Sequence, residues 1–93
     1  MNAKELEQRI RELFEADMEL MLDKNADYAE DKDALSNLRD FGFLGVVVRL
    51  GDKYHRLKTF AEKGTYKTKG ESVLDTLRDA RVYCYLGDIL LDE

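Results

Sequence analysis

The sequence predicts an all-α protein: a three-to-four-helix antiparallel bundle, completed by homo-oligomerisation. Three observations carry that expectation. The chain contains no proline and is dominated by Leu, Glu, Lys, Arg, Ala and Asp, which favour helix. Its apolar residues recur at three- and four-residue spacing along most of its length. At 93 residues it holds a single domain, 1–93, whose core is limited, so self-association is expected.

The first helix is predicted from Ala3 to about Lys24. Asn2 is its N-cap, and Glu5 stands at capping-box spacing. Its apolar stripe is Leu6, Ile10, Leu13, Phe14, Met18 and Met21. The polar stretch from Asn25 to Asp33 reads as a loop. The second helix is predicted from about Ala34 to Lys63, with Gly64 as its stop. Gly42, Gly45 and Gly51 fall inside it, each costing roughly 1 kcal/mol relative to alanine. The run Leu44 to Leu50 has the composition of a buried strand. Helix is preferred because Val47, Leu50, Tyr54, Leu57 and Ala61 continue at helical spacing. A break near Gly42 would leave a short helix before a long one.

The third helix is predicted from about Lys69 to Leu91, with Thr68 and Glu71 at capping-box spacing. Its core stripe is Val73, Leu77, Ala80, Cys84, Gly87 and Leu91. The small residues at 80, 84 and 87 point to close approach of a neighbouring helix.

Charge and composition narrow the functional classes. A net charge of −5 argues against broad binding to a nucleic-acid backbone. No apolar run approaches membrane-spanning length and the N-terminus lacks a signal core, so no membrane partner is expected. The single Cys84 cannot form an internal disulfide, and a reducing cytoplasm is the expected setting.

Three constellations could carry chemistry. Glu71, Asp75 and Asp79 stand at i, i+4 and i+8 and stack on one stripe of the last helix, opposite its core stripe. Like charges there repel unless the stripe faces water, is flanked by cations, or holds a metal ion. Asp17 lies in the middle of the first helix's apolar stripe. It must pair with a cation such as Arg49 or Arg56, reach a polar cavity, or bind a metal. Arg49, Asp52, Lys53 and Arg56 share one face of the second helix. The arginines and the lysine suit phosphate groups, or else neutralise the acids. No nucleophile triad, zinc-ligand spacing or glycine-rich phosphate loop is present. An oxygen-rich inventory poor in histidine and thiol favours Mg²⁺ or Mn²⁺ if any metal binds.

Three blocks in order carry a resemblance. They are Lys24-Asn25-Ala26-Asp27-Tyr28 with Ser36-Asn37 downstream, Arg49 through Leu57, and Glu71 through Ala80 with Tyr83. The pattern resembles the nucleotide-modification-associated domain 1 family, small all-α proteins of phages and bacteria. That family is in turn similar to the MazG-like nucleoside-triphosphate pyrophosphohydrolases. The resemblance covers about residues 13 to 90. It implies that Asp27, Tyr28 and Asn37 line a nucleotide pocket and that Lys53 and Arg56 meet phosphates. It also implies that Glu71, Asp75 and Asp79 hold Mg²⁺, in a host's cytoplasm if the protein is viral.

Three functions are thus expected as alternatives. One is a Mg²⁺-dependent pyrophosphohydrolase, with Asp75 and Asp79 at the metal and Asp17 as base or further ligand. The second is an oligomeric module that binds a nucleotide, or another phosphorylated small molecule, without turnover. The third is a helical interaction domain whose charged stripes are only salt bridges.

Overall fold

The computed structural model describes the backbone of residues 1–28 (side chains through 23) and all of 35–65 and 72–93. Among the described residues the protein is all-α, with α1 at Ala3–Tyr28, α2 at Ser36–Lys63 and α3 at Val73–Asp92. No helix among them is long and apolar enough to cross a membrane.

The ends of α1 obey different physics. At its start the Asn2 side-chain oxygen accepts a hydrogen bond from the Glu5 N–H at 2.8 Å, satisfying one of the orphan donors of the first turn. At its end the helix continues four residues past Lys24 to Tyr28, so Asn25 to Tyr28 is helical where a loop was expected, and the rest of that expected loop lies outside the described residues. The reason lies in the size of the penalties. Asn and Asp lose only a few tenths of a kcal/mol in a helix, and no glycine or proline intervenes. Polarity alone does not stop a helix. Along the exposed side, Arg9 pairs with Glu12 at 3.1 Å and Arg11 with Glu7 at 2.9 Å.

The alternative of a break near Gly42 is the one realised. Gly42 has φ 64° and ψ −160° inside α2, a conformation open essentially only to glycine. Nothing lies within 4 Å of where its Cβ would be, so the requirement there is torsional and not steric. The kink creates a second requirement next door, because a Cβ on Gly45 would fall 2.8 Å from the Phe41 Cβ. At the other end of α2, Gly64 adopts φ 75° and its N–H reaches the Phe60 carbonyl at 2.7 Å, the stop expected from its position.

The start of α3 differs from expectation. Its N-cap is Ser72, four residues later than a start at Lys69 requires, while Thr68 and Glu71 lie outside the described residues. Ser72 and Asp75 make the capping box: the Ser72 hydroxyl accepts from the Asp75 N–H at 3.0 Å, and the Asp75 carboxylate accepts from the Ser72 N–H at 3.3 Å. This second capping-box spacing follows directly on Thr68 to Glu71 in the sequence and had no place in the expected start.

Contacts divide the chain into two compact units, Met1–Ala34 and Leu35–Glu93. In the second, α2 and α3 run antiparallel. Arg39 pairs with Glu93, Val46 packs on Gly87, and Lys53 reaches Asp79, so steps forward on α2 match steps back on α3. Val46 and Thr76 are fully buried and Gly87 is buried with them. Thr76 and Gly87 are about three turns apart and share one azimuth, roughly 50° from the centre of the expected stripe. Leu77, Cys84 and Leu91 are accordingly exposed where core positions were expected. On α2 the buried valine is likewise Val46, with its neighbour Val47 exposed.

The backbone geometry at the kink yields a test. Gly42→Ala adds no clash but forces an L residue into a glycine-only region, and it should destabilise the fold by about 1–3 kcal/mol. Urea denaturation followed by circular dichroism measures it.

Candidate functional site: a charged ladder on the second and third helices

The predicted cationic face of α2 meets the acidic stripe of α3 along the edge of their shared seam. Lys53 makes the crossing. Its ammonium lies 3.3 Å from Asp79 Oδ2 and 4.0 Å from Asp52 Oδ2. On α2, Arg56 Nε stands 3.3 Å from Asp52 Oδ2. On α3, Arg78 bridges the acids, 3.2 Å from Asp75 Oδ1 and 3.7 Å from Asp79 Oδ1. Followed in space, Arg56, Asp52, Lys53, Asp79, Arg78 and Asp75 form a ladder of alternating sign. Three bases and three acids leave it neutral.

Burial grades the rungs. The Lys53 side chain is only 14% exposed, because its methylene stem lies along the helix–helix seam while the ammonium reaches the edge. Asp52 is 57% exposed, so its pair with Arg56 sits in water and contributes little. The Lys53–Asp79 contact is the more shielded of the two and the one that links the helices.

Asp75 has a local duty as well. The Ser72 hydroxyl, then the Ser72 backbone N–H, hold its carboxyl below the ordinary value of 3.8, with Arg78 adding to the effect and desolvation opposing it. The acid is thus both the third residue of the capping box and the end of the ladder.

The sequence-predicted residues fall into groups. Asp52, Lys53, Arg56, Asp75 and Asp79 come together. Arg49 is exposed one turn before Lys53. Asn37 is exposed in the first turn of α2, beyond the kink and about 24 Å from Lys53 along the helical path. Asp17 is buried in α1, at 4% exposure. Its carboxylate is not left unsatisfied, since no buried side-chain oxygen or nitrogen among the described residues lacks a hydrogen-bond partner. Glu71 and the side chains of Asp27 and Tyr28 lie outside the described residues. Arg78 was not anticipated, although its place three residues after Asp75 and next to Asp79 signals a bridging cation.

One expectation about the acids is corrected by this geometry. The stripe does not lie opposite the packed face of α3. Rotation of that face towards Thr76 and Gly87 brings Asp79 beside the seam, within reach of Lys53. Each oxygen of Asp75 and Asp79 faces a cation or an N–H: Asp75 meets Arg78 and Ser72, and Asp79 meets Arg78 and Lys53. No group of three or more Asp, Glu, His or Cys side chains able to hold a metal occurs among the described residues.

The chain matches no protein-family profile, no curated protein and no solved structure.

Two measurements probe the ladder. A double-mutant cycle with Lys53→Met and Asp79→Asn, read by urea denaturation, should return a coupling of about 1 kcal/mol, above that of exposed pairs and below that of buried ones. Asp75 should titrate below 3.8 in the folded protein by carboxyl NMR, and Ser72→Ala should raise that midpoint. A depressed folded value means the contribution is present above the ordinary carboxylate range and disappears as pH falls through the folded value. Fraying of the first turn of α3 should accompany that titration.

Proposed function

We propose that this chain is a self-associating, nucleotide-binding helical module of MazG-like type. In this reading, the edge of α2 bearing Arg49, Lys53 and Arg56 meets the phosphates of a nucleotide or similar phosphorylated small molecule. The single observation that carries it is convergence. Two blocks of the family-like pattern, far apart in sequence, touch where Lys53 stands 3.3 Å from Asp79. A ladder that served only to tie two helices together would need nothing more than that one contact.

The chemistry is compatible with phosphate. The exposed Asp52–Arg56 pair is weak, so an incoming dianion can displace the carboxylate from the guanidinium at little loss. Arginine then binds bidentately and lysine as a point charge. The reading stops at binding, because each carboxylate oxygen of Asp75 and Asp79 is engaged by a cation or an N–H and no hydrolytic step follows from that arrangement.

A plain helical interaction domain is the second reading. It is favoured by the neutrality of the ladder and by the many large apolar side chains exposed on all three helices.

A nucleotide panel with and without Mg²⁺, read by thermal shift and by phosphate-resolving chromatography, separates the readings. At least one unchanged nucleotide should stabilise the protein, and Lys53→Ala or Arg56→Ala should weaken that binding about tenfold or more. Metal-dependent release of pyrophosphate would extend the proposal to an enzyme. The absence of any shift across the panel would overturn it in favour of the interaction domain.

A further inference from the structure

Arg78 holds two acids with the two ends of one guanidinium, and it holds them unequally. One terminal nitrogen stands 3.2 Å from Asp75 Oδ1, and the other stands 3.7 Å from Asp79 Oδ1. The first is close to hydrogen-bonding distance, and the second is a looser electrostatic contact with room to shorten. Asp79 is shared in turn, because its other oxygen faces the Lys53 ammonium of α2 at 3.3 Å. Lys53 and Arg78 therefore divide Asp79 between them, while Asp75 and Asp79 divide Arg78.

Under the phosphate reading proposed above, on which this inference rests, Lys53 must turn its ammonium from Asp79 to an incoming anion. Asp79 sits half-sheltered at the edge of the seam, so leaving it without a cation opposes that exchange. We infer that Arg78 is the positioning residue of the phosphate-binding edge: it closes on Asp79 as Lys53 swings to the anion, and Asp75 competes with Asp79 for it.

Arg78 need not touch the ligand to do this. Its planar fork can hold one carboxylate with two nitrogens, so the split contact can become a bidentate pair with Asp79. Asp75 can release the guanidinium because it keeps a second anchor. Its other oxygen accepts the Ser72 N–H at 3.3 Å, in the first turn of α3, where the helix dipole favours a carboxylate. The capping box thus makes Arg78 available at small loss.

The signs follow from linkage. Without Arg78, Asp79 keeps Lys53 as its only cation among the described residues and holds it back, so anion binding weakens. Without the Asp75 charge, Arg78 is free to close on Asp79, so anion binding strengthens. Direct repulsion between Asp75 and the anion has the same sign, yet it persists without Arg78 and fades in salt.

Two measurements on the full chain test this role. The first is titration with inorganic pyrophosphate, read by backbone amide shifts. Arg78→Met should raise the dissociation constant about two- to fivefold with the helical signal unchanged, and Asp75→Asn should lower it by a similar factor. Arg78→Lys should recover part of the loss, and Asp75→Asn should have no effect once Arg78→Met is present.

Urea denaturation supplies an arm without ligand. Lys53→Met leaves Asp79 to Arg78. In that background Asp75→Asn should reduce the folding equilibrium constant about two- to fivefold less than it does in the unmodified chain, and the difference should vanish with Arg78→Met. Pyrophosphate binding that ignores Arg78→Met, an Asp75→Asn effect that survives it, or additive denaturation results would each overturn the inference and leave the phosphate reading standing. Coupling in the denaturation cycle with no pyrophosphate binding to any chain would overturn the phosphate reading, and the positioning role with it.

Discussion

The close approach of α2 to α3 at Gly87 is the constraint on which the second unit depends. A Cβ at that position would lie 3.1 Å from Val46 Cγ1 and 3.3 Å from Phe43 Cε2, so the absence of a side chain is what lets the two helices meet. Contact at that depth leaves little freedom in rotation. It turns Thr76 inward, leaves Cys84 outside, and brings Asp79 to the edge of the seam. The antiparallel register, from Arg39 and Glu93 to Lys53 and Asp79, follows from the same packing.

The electrostatics are a consequence of that rotation. Carboxylates stacked along a helix repel one another, and α3 relieves Asp75 and Asp79 by placing Arg78 between them and Lys53 across from them. The two acids have different tasks. Asp75 caps its own helix through Ser72 and ends the ladder, and Asp79 joins α3 to α2. A ladder so engaged at the seam, yet exposed at its Asp52–Arg56 end, is stable where it is shielded and exchangeable where it meets water.

Features governed by local chemistry were legible in the sequence. The Asn2 cap, the Gly64 stop and the break at Gly42 each depend on a few adjacent residues, and each lies where its residue type placed it. The end of α1 and the start of α3 were less legible. The first lacks a strong breaker, and the second is set by a Ser72–Asp75 box that lies directly after the one expected at Thr68 and Glu71. The candidate cluster was legible in part. Residues 52, 53, 56, 75 and 79 stand out by periodicity on their own helices, whereas Arg78 lies off the acidic stripe and is marked only by its i+3 spacing from Asp75 and its place beside Asp79.

By itself, then, the sequence determined that the chain is helical, where two of its caps fall, that Gly42 is a place where α2 can break, and which residues share each helical face. Those properties follow from dihedral preferences and from a repeat of 3.6 residues, both of which act within a turn or two. Only the tertiary structure decided which azimuth of α3 is buried and which acid meets which base. Helix α3 is apolar on more than one side, so hydrophobic pattern alone admits several rotations. The steric gap at Gly87 selects one of them, and that gap exists only when a second helix is there to fill it.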